Sequence, residues 1–423
     1  GRRGGRVGAA LLAIAVTGSL ALPVAARGRG GELPLGARRV SLTLPPPRES
    51  PHVTVLLLDG ASLDYIWPRV AAGRLPNFGR LLDGGASMDL ATIRPTQVDP
   101  VWAAVATGMY PAKNGVRSGA SYFVGGDDSP VDLLPDHCFS HTLVRLGIVR
   151  GQPNSSAAWR ARPLWTIVND YGIIAGIVRW PLTYPVQPIT GFLVSDRFHQ
   201  VIGSIFEFDG RAAYPADLLP AVRDSFQAVA GEASDATRTD ASYSRATRDL
   251  MAQHPVQLAA VRYQGLDAAG HAYQRQPLAL GIGDTAEREE QRYGMQLDRY
   301  YAYIDGEIGA AADRLAPGGL LLIVSGFGMR PVGALKHIAA RLLRDPDVRG
   351  THEDAPDGFL LAYGTPVAPG RKQRGSIVDV TPTILYFLGI PIGRDMDGYA
   401  RADVFTRAFT AERPITFIPS HGR

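Results

Sequence analysis

Val53-Thr54-Val55-Leu56-Leu57-Leu58-Asp59-Gly60 is an almost unbroken apolar run that ends in a carboxylate and a glycine. A strand with one wet face alternates apolar and polar residues, whereas an interior strand of a parallel sheet, covered on both faces, reads like this one. Ligands in open α/β sheets bind at the carboxyl ends of the strands, so Asp59 arrives at the functional edge. Outward from this stretch, residues 173–178, 191–195, 256–263, 320–325 and 359–363 are further candidate strands. Helical periodicity fills residues 75–82, 163–170, 291–315 and 377–388, and another helix, over 101–107, is expected to begin at about Pro100. The alternation predicts an α/β protein with a mostly parallel central sheet and helices on both faces. Residues 196–252 fit a βα unit least well and are expected to form a cap inserted near the mouth of the site.

With 423 residues, 45% of them hydrophobic, the chain can bury a large core. The net charge of +4 owes much to arginines among the first forty residues and gives no reason to expect nucleic-acid binding. Cys138 is the single cysteine, which excludes an internal disulfide and a cysteine-based metal cluster. Arg2, Arg3 and Arg6 precede an apolar stretch over 7–22, and Pro23-Val24-Ala25-Ala26 supplies the small residues of a cleavage site. Residues 1–26 therefore read as a signal peptide or, if uncleaved, a membrane anchor. Export to the periplasm or the extracellular space follows. Residues 27–50 read as a linker, 51–412 as one domain and 413–423 as a tail.

Leu266-Asp267-Ala268-Ala269-Gly270-His271 and, much later, Gly350-Thr351-His352 supply one carboxylate and two imidazoles. Catalytic zinc uses three protein ligands and leaves a fourth position open for water or substrate. The same residues also suit a polar loop and a surface histidine, and spacing leaves both readings open.

Further segments fall in a meaningful order. Leu58-Asp59-Gly60, Leu75-Pro76-Asn77-Phe78, Pro95-Thr96-Gln97-Val98-Asp99-Pro100 and Ala106-Thr107-Gly108-Met109-Tyr110-Pro111 precede the Asp267, His271 and His352 set. Ile377-Val378-Asp379-Val380-Thr381-Pro382 and Met396-Asp397-Gly398 follow it. The series resembles the type I phosphodiesterase and nucleotide pyrophosphatase family of the alkaline phosphatase superfamily, over residues 52–405. The resemblance implies an alkaline-phosphatase-like fold and phosphoester hydrolysis by two zinc ions and a Thr or Ser nucleophile. It assigns Asp267, His271 and His352 to one ion. It gives the other ion Asp59, an Asp-His pair after a strand, and the nucleophile's oxygen.

Here the chain departs from the pattern. Gly326 and Phe327 stand where the Asp-His pair is expected, and Val98 stands at the nucleophile position. One zinc is expected and a second is not, because a lone Asp59 offers too few ligands. Asp59 then either binds metal or accepts hydrogen bonds from backbone N–H groups around residues 96–99. Thr96 and Asp99 flank Val98 and are weak substitutes for the nucleophile, since a shift of one residue redirects the side chain. Phe327 is expected to fill the space of the missing ion, and Ser325 to be a hydrogen-bonder at a strand end. Asn154-Ser155-Ser156 has the form of a glycosylation sequon. The function implied is that of a metal-dependent phosphoesterase-family protein with a degraded catalytic centre and weak or no turnover. The alternative is a non-catalytic binding protein for a phosphorylated or anionic ligand.

Overall fold

The computed structural model describes residues 52–124, 146–202, 210–229, 237–273, 284–331, 350–352 and 356–422, with isolated residues 13 and 144. Apart from residue 13, the signal or anchor segment lies outside the described residues, as do the linker and Cys138.

The apolar runs become the strands of one sheet: β1 (Val53–Leu58), β2 (Ala86–Ala91), β3 (Ala175–Val178), β4 (Gly191–Val194), β5 (Ala213–Tyr214), β6 (Leu258–Tyr263), β7 (Leu320–Phe327) and β8 (Asp357–Tyr363). The sheet is ten-stranded among the described residues, in the order Gly370–Arg371, β2, β8, β7, β1, β6, β3, β4, β5, with Gly375–Ser376 also paired to β2. β7, β1, β6, β3 and β4 run parallel. β8 is antiparallel to both β7 and β2, and β5 to β4. β2 carries Ser87 and Asp89 among its apolar residues, so it escapes a search for apolar runs.

The principal helices are α1 (Leu63–Ala71), α2 (Pro76–Gly84), α3 (Val98–Thr107), α4 (Leu164–Asp170), α5 (Leu219–Val229), α6 (Arg238–Gln253), α7 (Gly265–Tyr273), α8 (Asp284–Asp313) and α9 (Val380–Phe387). They cover both faces of the sheet, and strand alternation divides the core accordingly. Val53, Val55 and Leu57 pack with Leu258, Ala260 and residues of α3, α4 and α9. Leu56 and Leu58 pack with Ala259, Val261 and residues of α2, α6 and α8. β1 thus buries both of its faces, which is why it reads as a continuous apolar run.

The structure adds detail to these expectations in four places. α3 starts at Val98 rather than near Pro100, so the loop before it is shorter than expected. Asp267 and His271, which also suit a polar loop, lie on helix α7. In the stretch expected to be a cap, β5 extends the sheet and α6 places Tyr243, Ala246 and Leu250 in its core. The tail is tied down: Phe417–Ile418 pairs with Ile392–Gly393, and Arg413 donates to the Phe387 carbonyl at 2.7 Å.

Candidate metal centre

The site lies beyond the carboxyl ends of β1, β6 and β7, where three neighbouring parallel strands release their chains on the same edge. β1 ends in Asp59 and then Gly60, whose φ of +71° suits glycine. A Cβ on Gly60 would lie 3.1 Å from the Asp267 Cα, so the missing side chain lets α7 approach β1 closely. On α7, Asp267 and His271 are one turn apart and share a face. His352 comes from the segment after Gly350–Thr351, a short strand paired with Arg330–Pro331.

These three side chains converge. Asp267, His271 and His352 each offer one ligand atom, all within 4.8 Å of one another. The two imidazoles stand edge to face with centroids 5.5 Å apart. Asp267 Oδ1 is 3.6 Å from His271 Nε2, too long for a hydrogen bond. Two metal–ligand bonds of about 2.0 Å at a tetrahedral angle would hold their donors at about 3.3 Å, close to that separation. The same oxygen is buried and accepts no hydrogen bond among the described residues, an uncompensated acceptor of the kind a cation satisfies. Burial pushes the Asp267 carboxyl up to about 6, while His271 pulls it down, Asp59 raises it and Arg262 lowers it. The trio fits one divalent ion.

The second set does not fit. Asp59 is wholly buried, and both carboxylate oxygens are engaged. Oδ1 accepts from Trp102 Nε1 at 2.7 Å and Arg262 Nε at 3.1 Å. Oδ2 accepts from Arg262 Nε at 3.0 Å and from a terminal Arg262 nitrogen. Its partners are therefore side chains of α3 and β6, not backbone N–H groups around residues 96–99. A Cβ on Gly326 would sit 2.4 Å from Val101 Cγ1, so a ligating side chain enters there only by displacing the Val101 side chain of α3. Phe327 is fully buried in the core, with its ring 5.2 Å from that of His352. Arg262 and Trp102 escaped the sequence reading. The available signal was an arginine interrupting the apolar strand Leu258-Ala259-Ala260-Val261-Arg262-Tyr263, where a charge needs a partner.

Val98 opens α3 and packs half-buried against the core. The Thr96 hydroxyl donates to the Ile93 carbonyl at 2.9 Å, a local turn contact. Asp99 sits in the first turn of α3 and accepts from Asn154 Nδ2 at 3.2 Å, and burial pushes its carboxyl up to about 6. The Asn154 amide also donates to the Ser118 carbonyl at 2.7 Å, which makes this asparagine part of the fold rather than a presented glycan acceptor. The Ser325 hydroxyl, two residues before the end of β7, lies within donating distance of the carbonyls of Ala61 at 2.8 Å and Phe327 at 2.9 Å.

The family model for type I phosphodiesterase / nucleotide pyrophosphatase matches residues 53–369. Among solved structures, the chain is similar to human ectonucleotide pyrophosphatase / phosphodiesterase 5, with a TM-score of 0.53 and 14% identity. That match covers 84% of this chain and 100% of the human one. It is also similar to an inactive variant of the murine counterpart in complex with AMP, with a TM-score of 0.52 and 12% identity over the same shares.

Proposed function

This chain belongs to the type I phosphodiesterase / nucleotide pyrophosphatase family, and on that premise we propose that it holds a single zinc ion and binds a small phosphorylated ligand with weak or no turnover. The observation that supports this reading is the convergence of Asp267, His271 and His352; by resemblance to the family pattern, Val98, Gly326 and Phe327 stand where a nucleophile and two further ligands are expected. Asp267, His271 and His352 would hold the ion. A zinc ion held by three protein ligands acts as a Lewis acid toward a phosphoryl oxygen.

The protein's own residues set the remaining conditions. Val98 has no hydroxyl, so the family's covalent attack has no group to perform it. The Phe327 ring lies against the His352 imidazole, with centroids 5.2 Å apart, and offers an apolar wall beside it. Such losses remove several kcal/mol of transition-state stabilisation, on the order of what covalent and electrostatic catalysis each supply. Residual hydrolysis is the second reading. Asp99 favours it, because a carboxyl near pKa 6 at the head of α3 suits proton transfer. Residues 1–26 would direct the protein to the periplasm or the extracellular space, and would hold it to a membrane if they remain attached.

The test measures zinc content, AMP binding and hydrolysis of a nitrophenyl phosphodiester on one preparation. About one zinc per chain with metal-dependent AMP binding and no turnover is expected. Metal-dependent turnover would favour the one-metal hydrolase, and absence of zinc would overturn both readings.

A further inference from the structure

Arg262 lies on β6, in the register position opposite Leu57 of β1, two residues before the aspartate that ends the neighbouring strand. Leu258 and Ala260, which alternate with it on the same face, belong to the core. An arginine here, only 4% exposed, is stable only if its charge is met. It is met at Asp59, through the paired contacts of its guanidinium with both carboxylate oxygens. Trp102 closes the remaining side of the carboxylate, and its ring, with Val101, occupies the space facing Gly326. Asp99, Asp196 and Asp267 also lie within electrostatic reach of Arg262. The guanidinium thus contacts Asp59 directly and acts on the other three carboxylates only through its field.

We propose that Arg262 is a built-in cation that takes the place of a second metal ion, holding Asp59 as a structural carboxylate and fixing the capacity of the pocket at one metal. A guanidinium fits this role because it stays charged at every accessible pH and presents a planar fork matched to a carboxylate. It also leaves Asp59 without an oxygen for an ion, since a ligand already accepting charge-assisted hydrogen bonds on both oxygens must break them to coordinate. Arg262 is therefore a positioning residue, acting on Asp59 and, through the shared field, on Asp267. The inference rests on the one-metal reading of the Asp267, His271 and His352 set.

The test is a double-mutant cycle on the whole chain, with Asp59→Asn, Arg262→Met and the pair, read by melting temperature and by metal content after zinc loading. Each single change strands one buried charge and lowers the melting temperature, by about 5 °C or more. The double change, which removes both charges, is expected to recover a large part of that loss. Zinc content should stay near one per chain in the wild type, in Asp59→Asn and in the double variant. If Arg262→Met does not fold, a soluble double variant still demonstrates the coupling. Additive losses in the cycle would overturn the inference, and so would a second zinc in the wild type that Asp59→Asn abolishes. A wild type with no zinc but strong coupling would remove the one-metal reading and leave the Asp59–Arg262 pairing standing, so the two failures are distinct.

Discussion

Gly326 decides whether the missing half of the site can be rebuilt by substitution. Restoring the family's residue types means Val98→Thr, Gly326→Asp and Phe327→His, yet a Cβ at 326 meets Val101 Cγ1 at 2.4 Å. The His introduced at 327 also enters a fully buried apolar position, where an imidazole lacks partners. The triple variant is therefore expected to lose stability and to take up no second zinc. Adding Val101→Ala should recover part of the stability, with zinc content still near one until Arg262 is also replaced. Thermal melts and metal analysis across this series check it, and a triple variant carrying two ions would contradict the closed-pocket view. For the intact half, His271→Ala or His352→Ala should abolish zinc uptake, because two remaining ligands hold the ion poorly. At this scale Asp267, His271 and His352 were legible because metal ligands are few in kind and fall in recognisable segments. Arg262 was not legible, because its meaning depends on lying beside Asp59 after a separation of 203 residues.

Helix α7 shows how an element carries the site. Its first residue, Gly265, donates its N–H to Asp240 Oδ2 at 3.0 Å, and Asp240 is held by the Tyr300 hydroxyl and by Arg179. A buried carboxylate at a helix N-terminus satisfies an orphan N–H and favours the helix dipole. A Cβ on Gly265 would fall 1.5 Å from the Tyr300 oxygen, so only glycine fits beneath this network. Gly265→Ala should thus destabilise the fold by about 1–3 kcal/mol through overpacking. It should also weaken zinc binding by about 10-fold or more, since α7 carries two of the three candidate ligands. Tyr300→Phe keeps the space but drops one hydrogen bond, and should cost less on both counts in denaturant melts and zinc titrations. The sequence concealed α7 because Gly265 and Gly270 in so short a segment look like loop residues. The long parallel strands were readable for the opposite reason: burial on both faces writes itself as an apolar run. β2 alternates with polar residues, and its place between β8 and Gly370–Arg371 depends on pairing that no local pattern encodes.

Across the whole molecule, metal and proton binding should both register in stability. An ion on Asp267, His271 and His352 would tie α7 to the segment ending at His352, so zinc at about 100 times its Kd should add about 2.7 kcal/mol, lost on chelation. Proton linkage is best read in the chelator-treated protein, where ligand protonation no longer competes with metal. His199, on the short helix Phe198–Ile202, packs against Tyr243 and shares a hydrogen bond with its hydroxyl at 3.0 Å. Burial, then the charge of Arg179, lowers its pKa from 6.5 to about 4, with Arg262 adding to the fall and Asp196 and Asp240 opposing it. Below pH 6.5 the unfolded chain takes up a proton that the folded one refuses, so this group removes stability as pH falls, and the loss levels off below about 4. Asp99 and Asp267 act in the other direction. Their folded pKa values near 6 lie above the ordinary carboxylate value of 3.8, so the folded state gains protons first and is stabilised as pH falls through that range. The net acid profile mixes both signs, and the informative quantity is the difference between His199→Gln and wild type. Relative to wild type, the variant should gain melting temperature steadily from pH 6.5 down to about 4, with little change in the difference above neutrality. A difference that stays flat from pH 7 to 4 would mean that His199 takes up its proton in the folded protein as readily as in the unfolded chain, and that Tyr243 does not hold it neutral.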